Sequence, residues 1–218
     1  SDDVAAILDG SSVSFDSSDN YNGNASFVVS VTDGEFTDSQ TITVTVNAVN
    51  DAPTANAASG QTDEDQSVVI ALSGDDIDGD NLTFTLESDG ANGSVTLDGS
   101  LATYAPNGNY FGDDSFTFSV SDGEYSATAD VSVSVAAVND APVLADVSDV
   151  SFDEDGSGSV SLSADDVDGD DLTFSISGGS DDVAAILDGS SVSFDSSDNY
   201  NGNASFVVSV TDGEFTDS

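Results

Sequence analysis

Residues 115–135 read SFTFSVSDGEYSATADVSVSV, and this stretch decides the fold. Apolar residues occupy every second position within 116–120 and again within 131–135, with Ser or Thr between them. Because successive side chains of a strand point to opposite faces of a sheet, each run has one apolar and one polar face. The Asp122-Gly123 pair between the runs is typical of a turn. The stretch therefore predicts two half-buried antiparallel strands.

The same period-two alternation recurs along the chain, for example within 42–46, 82–86 and 172–176, and no strong helical periodicity competes with it. Short runs of this kind, separated by Gly, Asn and Asp turns, number about seven in roughly 90 residues, which is typical of a β-sandwich. We therefore predict an all-β fold of tandem seven-stranded Greek-key β-sandwich domains in a linear array.

Internal repeats give the domain organisation. Residues 1–39 recur without a single change as residues 180–218. Within that period, Val-Asn-Asp-Ala-Pro occurs at 49–53 and again at 138–142, so the repeating unit is a pair of related domains. We predict that 1–50 is the C-terminal part of one domain, 51–139 a complete domain, and 140–218 a domain that lacks its last strand. The parent array is expected to repeat this pair.

The charge composition excludes several classes of function. The chain has 43 Asp and Glu residues and no Lys, Arg or His, for a formal net charge of −43. Without basic side chains there is no patch to neutralise phosphates, so we predict no nucleic-acid partner. Without His or Cys there is no zinc site of the usual type. No apolar run approaches the roughly 18 residues of a membrane span, so no direct membrane insertion is predicted.

Catalysis is disfavoured for similar reasons. The chain offers no His, Cys or Lys as a conventional base for a nucleophile. Two carboxylates about 5–9 Å apart can hydrolyse a glycosidic bond, but the chain has no Trp and its five Tyr are dispersed, so no aromatic platform for a sugar is indicated. The candidate acids also recur at repeated positions, which suits a structural role. We predict that the chain is not an enzyme.

Acids cluster where strands end beside the predicted domain junctions. Asp-x-Asp-Gly-Asp loops occupy residues 76–80 and 166–170, and Asp-Glu-Asp occurs at 63–65 and 153–155. Neighbouring carboxylates repel one another unless a cation joins them, and calcium takes six to eight oxygen ligands. Because the chain has no Cys for disulfides, metal is the remaining cross-link for such small cores. The pattern predicts calcium sites.

An EF-hand is the competing calcium motif, and the sequence does not fit it. The sixth position counted from Asp76 is Asn81 rather than Gly. The twelfth position counted from Asp166 is Ser177 rather than Glu, and no predicted helix flanks either loop.

The order of the motifs resembles that of cadherin-type domains, and more closely the bacterial cadherin-like (Ig-like) tandem repeats of giant calcium-dependent surface adhesins. The motifs are Asp-x-Asp-Gly followed by Leu-Thr-Phe, a strand ending in Ser-Asp-Gly, a Val/Ser/Thr strand and Val-Asn-Asp-Ala-Pro, and they cover nearly all of the chain. The resemblance implies that calcium binds at the junction between consecutive domains and stiffens the array.

The resemblance also implies a ligand set for each junction. Between 51–139 and 140–218, the ligands would be Glu64, Asn139, Asp140, Asp166, Asp168 and Asp212. At the preceding junction, the matching residues are Asn50, Asp51, Asp76, Asp78 and Asp122. Glu154 would serve the following junction, and Asp33 an earlier one.

One element departs from the family pattern. The Asp-Arg-Glu motif that supplies a bidentate acid in animal cadherins is absent. Asp113 or Asp114 could replace it in one domain type, whereas Asn24 and Asn203 occupy the position in the other. Alternate junctions are therefore expected to bind fewer ions, or to bind them more weakly.

These features predict a calcium-rigidified extracellular repeat at the bacterial cell surface, forming the shaft of an adhesin or a self-associating surface fibre. The expected partners are calcium ions and neighbouring repeats of the same protein. Residues 140–218 lack a strand like Thr41–Val46, which the continuing chain or another copy could supply by strand complementation. Two alternatives stay open: a sugar- or protein-binding domain of an adhesin, and a repeat region attached to a secreted enzyme.

Overall fold

The computed structural model describes residues 3–218, so the first two residues of the predicted 1–50 segment lie outside the described part. The described residues form strands, turns and loops and contain no helix, which confirms the all-β prediction. The chain divides into two compact units, Ser1–Ala136 and Ala137–Ser218, and the division falls close to the second Val-Asn-Asp-Ala-Pro motif.

The strands of the first unit, in chain order, are β1 (Val4–Asp9), β2 (Ser12–Ser17), β3 (Gly23–Thr32), β4 (Thr37–Val46), β5 (Thr54–Asn56), β6 (Ala58–Asp63), β7 (Val68–Ala71), β8 (Ser73–Asp75), β9 (Thr83–Ser88), β10 (Gly93–Asp98), β11 (Leu101–Pro106), β12 (Gly112–Ser121) and β13 (Ser126–Ala136). The strands of the second unit are β14 (Val143–Leu144), β15 (Ser157–Ser161), β16 (Ala164–Asp165), β17 (Thr173–Gly178), β18 (Val183–Asp188), β19 (Ser191–Ser196), β20 (Phe206–Thr211) and β21 (Thr216–Asp217).

Residues 54–136 form a β-sandwich. One sheet has the strand order β6-β13-β12-β9, the other has the order β10-β11-β7, and β5 pairs separately with β8. β12 and β13 pair antiparallel from Gly112↔Val135 to Ser121↔Ser126, which confirms the two strands predicted from residues 115–135. β6 lies parallel to β13, so a strand from the start of the domain pairs with the last one.

The core of this sandwich follows from the alternation. The apolar side chains within 116–120 and 131–135 are buried, and they pack with Ile70, Val95 and Tyr104 of the opposite sheet. The turn between β12 and β13 contains Gly123, whose φ of 103° lies in a region that L side chains rarely adopt. The period-two pattern therefore directs one face of each central strand into the core.

A carboxylate lies inside this otherwise apolar core. Asp114 is buried and accepts hydrogen bonds from the Tyr104 hydroxyl at 2.8 Å and from the backbone N–H groups of Ala91, Asn92 and Ser115. Burial alone would raise the pKa of Asp114, but these hydrogen bonds outweigh it and lower the pKa below its ordinary value. Burial and the bond to Asp114 raise the pKa of the Tyr104 hydroxyl. The Asp114 carboxylate thus joins Tyr104 to three backbone N–H groups of the sandwich.

The other domain type has apolar residues at the positions of this hydrogen-bonded pair. By strand register, Phe15 and Ala25 of residues 1–50 stand where Tyr104 and Asp114 stand in the sandwich. Phe15 contacts Phe27 with ring centroids 5.2 Å apart, and the identical residues of the second unit form the same pair at 5.2 Å. The two domain types therefore have the same strand arrangement but differ in the polarity of the residues at these core positions.

The second unit has the same order of strands but less complete sheets. Its strands form the sheets β15-β19-β18, β17-β20-β21 and β14-β16. β21 pairs with β20 at Val210↔Asp217 and Thr211↔Thr216 alone. Residues 145–153, which follow β14, contain no strand.

Replacing Asp114 tests the polar core. In Asp114→Ala, the Tyr104 hydroxyl stays buried without its acceptor and three backbone N–H groups lose theirs, so we expect the free energy of unfolding of the 54–136 sandwich to fall by about 3 kcal/mol. Asp113→Ala is the matched control, because Asp113 is exposed, and its effect should stay within about 0.5 kcal/mol. Native-state hydrogen exchange at the amides of β12 and β13 reports this sandwich separately. Equal protection in both variants would contradict the role of Asp114.

Candidate metal centre

The loop after β8 draws three carboxylates together. Asp76 Oδ1 accepts hydrogen bonds from the backbone N–H of Asp78 at 2.9 Å and of Asp80 at 3.1 Å. Asx turns of this kind are characteristic of Asp, and Gly79, with a φ of 81°, permits the reversal of the chain. One carboxylate oxygen from each of Asp76, Asp78 and Asp80 lies within 4.8 Å of the others.

The second unit repeats this loop after β16. Asp166 Oδ1 accepts hydrogen bonds from the backbone N–H of Asp168 at 3.0 Å, of Gly169 at 3.0 Å and of Asp170 at 3.2 Å. Asp166, Asp168 and Asp170 again place carboxylate oxygens within 4.8 Å of one another. The two loops share four of the five residues of Asp-x-Asp-Gly-Asp, and they share their geometry.

In each unit the Asn-Asp pair of Val-Asn-Asp-Ala-Pro contacts one acid of the Asp-x-Asp-Gly-Asp loop and one acid of a separate turn. In the first unit, Asn50 Nδ2 donates to Asp122 Oδ2 at 2.8 Å, and the backbone N–H of Asp51 donates to Asp78 Oδ2 at 2.7 Å. In the second unit, the corresponding bonds are Asn139 to Asp212 at 2.8 Å and Asp140 to Asp168 at 2.7 Å. The structure thus brings together five predicted site residues in each unit.

Asp122 and Asp212 belong to matching turns. Asp122 Oδ1 accepts hydrogen bonds from the backbone N–H of Tyr125 and of Glu124, and these bonds together with the Asn50 amide hold the pKa of Asp122 below its ordinary value. Burial acts to raise the pKa of Asp212, but the hydrogen bonds from Asn139 and from two backbone N–H groups hold it below the ordinary value. The hydrogen bonds therefore favour the charged form of both side chains and also hold them in position.

Three carboxylate oxygens at these sites are buried without a hydrogen-bond partner among the described residues 3–218: Asp76 Oδ2, Asp140 Oδ2 and Asp166 Oδ2. A buried carboxylate oxygen normally requires a donor or a cation, because burial removes its hydration. The chain has no cationic side chain to provide one. Carboxylate and amide oxygens of this kind are ligands for a hard cation such as calcium, so the residues fit the predicted metal.

The remaining predicted ligands lie elsewhere in their units. Glu64 follows β6 and is buried, and its backbone N–H donates to the carbonyl oxygen of Ala136 at 2.9 Å. Glu154 is exposed in a turn. Asp33 lies in the turn between β3 and β4, where hydrogen bonds from the backbone N–H of Phe36 and Glu35 lower its pKa. Their roles as ligands stay predictions.

Asp80 and Asp170 were not among the predicted ligands, although both carboxylates belong to the clusters. The available signal was the third acid of each Asp-x-Asp-Gly-Asp loop. The Asx turn brings this acid back beside the first, since its backbone N–H bonds to the first carboxylate.

The sequence model of a family described as Bacterial Ig domain matches residues 50–134 and 139–218. Comparison with curated protein sequences found no match. Across the described residues 3–218, no helix is long and apolar enough to cross a membrane.

Solved structures share the fold at low sequence identity. The extracellular cadherin domains 1–4 of protocadherin gamma B7 have a TM-score of 0.56 and 13% identity, covering 98% of this chain and 62% of that chain. Domains EC1–2 of human protocadherin-24 have a TM-score of 0.50 and 22% identity, covering 74% of this chain and 87% of that chain. At these identities the likeness shows the fold alone.

An endo-fucoidan hydrolase from glycoside hydrolase family 107 matches with 16% identity over 99% of this chain, but its TM-score is 0.35. The chain spans 36% of the length of the first two fucoidan hydrolase structures that it matches.

Removing an amide donor tests the electrostatics of the turn. In Asn139→Ala, the carboxylate of Asp212 loses a hydrogen bond that favours its charged form, so its pKa should rise. The depressed pKa stabilises the fold above the pKa of unfolded Asp, and this stabilisation is lost as the pH falls through the folded-state pKa. The variant should therefore lose less stability on acidification. Carboxyl ¹³C NMR in chelator follows the titration, and Asn201→Ala, at an exposed residue of the same unit, should leave the Asp212 pKa unchanged.

Proposed function

The chain belongs to the bacterial Ig domain family, and on that premise we propose that it is an extracellular structural repeat stiffened by calcium. In this proposal it forms part of the shaft of a bacterial surface adhesin or of a self-associating surface fibre. Calcium ions and neighbouring repeats of the same protein are its partners. The successive repeats then span 51–139 and 140–218, and residues 1–50 are the end of the repeat before them.

The duplicated site is the main support for this function. Each Asn-Asp linker is hydrogen-bonded to an acidic turn and to an Asp-x-Asp-Gly-Asp loop, and the first carboxylate of each loop has a buried oxygen without a partner among residues 3–218. The family matches begin at residues 50 and 139, beside these linkers. A site that recurs once per repeat, at the same place in each, supports a role in joining repeats.

Calcium suits this site better than other cations. All of the available metal-ligand atoms are oxygens. Calcium accepts six to eight oxygen ligands in flexible geometry, whereas magnesium requires a tight octahedron. Calcium sites outside cells commonly bind at roughly 10⁻⁴ to 10⁻³ M. In the proposal, Asn50, Asp51, Asp76, Asp78 and Asp122 hold calcium at one linker, and Asn139, Asp140, Asp166, Asp168 and Asp212 at the next. Glu64 contributes from the repeat that precedes the second linker, Glu154 serves the following junction, and Asp33 an earlier one.

The proposed stiffening is electrostatic. Without metal, the acids around each linker repel one another and favour separation of the segments that carry them. A divalent cation replaces this repulsion with attraction, because the same carboxylates are all drawn to one ion. Calcium bound between linker and loop therefore restricts the linker.

A calcium titration tests the proposed function. Small-angle scattering of the chain in chelator should show a flexible particle, and millimolar calcium should lengthen the particle and reduce its flexibility. The melting temperature should rise over the same calcium range, since calcium binds the folded state preferentially. If chelator and calcium give the same scattering curve and the same melting temperature, the proposal is wrong.

Neutralising the first loop carboxylates tests the ligands. The double variant Asp76→Asn/Asp166→Asn should be slightly more stable than the parent in chelator, because a repulsive charge is removed, yet it should lose most of the calcium-induced rise in melting temperature. Asp98→Asn/Asp188→Asn is the matched control, because it removes the same charge at exposed hairpin turns. The control should keep the full calcium response. Equal calcium responses in the two double variants would count against these ligands.

A further inference from the structure

One of the ten Asp-Gly pairs in the chain holds its own carboxyl group against its own amide. Asp89 and Gly90 lie in the loop between β9 and β10, and the backbone N–H of Gly90 donates a hydrogen bond to Asp89 Oδ1 at 3.1 Å. The backbone N–H of Val95, on β10, donates to the same oxygen at 2.6 Å. These two bonds fix the Asp89 carboxyl group beside the amide nitrogen of the next residue.

The other Asp-Gly pairs do not make this contact among the described residues 3–218. In five of them the Gly N–H donates to a different acceptor: Gly34, Gly123, Gly156, Gly169 and Gly213. Three Asp-Ser pairs make a similar contact, but in these the Ser side chain shields the nitrogen: Asp38, Asp114 and Asp217. All ten Asp-Gly pairs contain the same two residues, so it is the fold that distinguishes Asp89.

The contact places a nucleophile beside an electrophile. The Gly90 nitrogen lies next to Asp89 Oδ1, and Oδ1 is bonded to Cγ, so the nitrogen is close to the carbon with which it can close a five-membered ring. Gly has no side chain to shield this nitrogen. Atoms held together in a fixed geometry react faster than atoms that must first meet. The Val95 N–H is placed to stabilise negative charge that develops on Oδ1 when Cγ is attacked.

We propose that Asp89 is a site of spontaneous covalent modification, where aspartate rearranges to isoaspartate through a succinimide. The Gly90 nitrogen bonds to Asp89 Cγ, the bond from Cγ to Oδ2 breaks, and this oxygen leaves as water with the amide proton and the carboxyl proton. Water then adds to the main-chain carbonyl carbon of Asp89 and breaks its bond to the Gly90 nitrogen. The main chain now runs through Cγ, and the former carbonyl is a free carboxylate. Asp89 is exposed, so water reaches the ring.

The polar core of the sandwich keeps this reactive pair in place. A Cβ atom at residue 90 would lie 2.6 Å from Asp114 Oδ2 and 3.0 Å from Tyr104 Cε2. A larger residue, which would slow ring closure, therefore does not fit at position 90 unless the buried Tyr104–Asp114 pair moves. Asp89 is also the acceptor for the Val95 N–H. The modification does not involve the proposed calcium ligands.

The other domain type has no such pair. When β9 is aligned with β17, positions 89 and 90 correspond to Gly179 and Ser180. In the sandwich of residues 54–136, isoaspartate lengthens the main chain by one methylene group directly before Gly90, which packs against the buried pair. Conversion should therefore loosen the core of one domain type and leave the other type unchanged.

The 218-residue chain provides its own comparison sites. Cleavage after Glu87 and Glu124 gives a peptide that contains Asp89-Gly90, Asp98-Gly99 and Asp122-Gly123. The folded chain is incubated in calcium and in metal-free buffer at about pH 5, where more carboxyl groups are protonated than at neutral pH. Electron-transfer fragmentation of the peptide then locates isoaspartate. In both buffers isoaspartate should accumulate at Asp89 about fivefold faster than at the other two pairs.

Denaturant and matched variants separate the contact from the local sequence. In concentrated urea the hydrogen bonds to Asp89 are lost, so the rates at the three pairs should agree within about twofold. Asp89→Glu keeps a carboxyl group but would have to close a six-membered ring, so it should form almost no rearranged product at residue 89. Asp98→Glu is the matched control and should leave the rate at Asp89 unchanged. The melting temperature of each variant reports whether the fold is retained.

The effect on the core is measured on the same samples. As Asp89 is converted, amide hydrogen exchange at β12 and β13 should become at least about threefold faster, whereas exchange at β20 of the second unit should not change. Unchanged exchange at β12 and β13 after conversion would contradict the predicted loosening of the core.

Two further results would overturn the assignment of Asp89 as the modified residue. The first is isoaspartate that forms at Asp89 no faster than at Asp98 or Asp122 in the folded chain. The second is a preference for Asp89 that persists undiminished in urea, because the contact with Gly90 does not exist there. Since the incubations are also made without metal, a failure of the calcium proposal leaves these outcomes unaffected.

Discussion

A carboxylate in this protein can be stabilised by water, by a hydrogen-bond donor or by an ion from solution, but never by a neighbouring cationic side chain, because the chain has 43 acids and no Lys, Arg or His. The described structure relies heavily on backbone donors. N–H groups hold Asp76 and Asp166 in their loops, Asp122 and Asp212 in their turns, and Asp114 in the core. At the linkers, Asp76 Oδ2, Asp140 Oδ2 and Asp166 Oδ2 are buried and have no such donor among the described residues 3–218, which distinguishes these oxygens from the carboxylate oxygens that shape the backbone.

The two domain types show that one strand pattern tolerates two kinds of core. In the sandwich of residues 54–136, Tyr104 and Asp114 form a hydrogen-bonded pair, and the register places Phe15 and Ala25 at the same positions in the other type. A buried hydrogen-bonded pair is sensitive to the loss of either partner, whereas apolar residues at the same positions are sensitive mainly to changes of volume. The alternation of types thus places cores of different chemistry next to one another along the chain.

The sequence predicts the strands well, because burial on one face imposes a period of two that residues 116–120 and 131–135 display directly. It also predicts the acids that gather at each linker, since Asp-x-Asp-Gly-Asp specifies its own Asx turn. The same alternation places position 114 in phase with Phe116 and Phe118, but it gives no sign of the Tyr104 hydroxyl and the backbone N–H groups that allow a carboxylate to be buried there. Local sequence also cannot explain why residues 202–205 differ from the identical residues 23–26. Residues 23–26 pair with residues 43–46 of the next strand, β4, whereas residues 203–205 form no strand, so the conformation of this stretch depends on its partner strand.

The parallel pairing of β6 with β13 has a mechanical consequence. These strands lie near the two ends of the domain, and they pair over six positions from Ala58↔Val131 to Asp63↔Ala136. Tension applied at the ends of the domain pulls β6 backward and β13 forward along the same line. All of the hydrogen bonds between them are then loaded in shear at once, instead of being opened one after another as when a hairpin is peeled apart. A sheet in which the first and last strands pair in parallel therefore resists stretching most strongly along the direction in which a tandem array would transmit load.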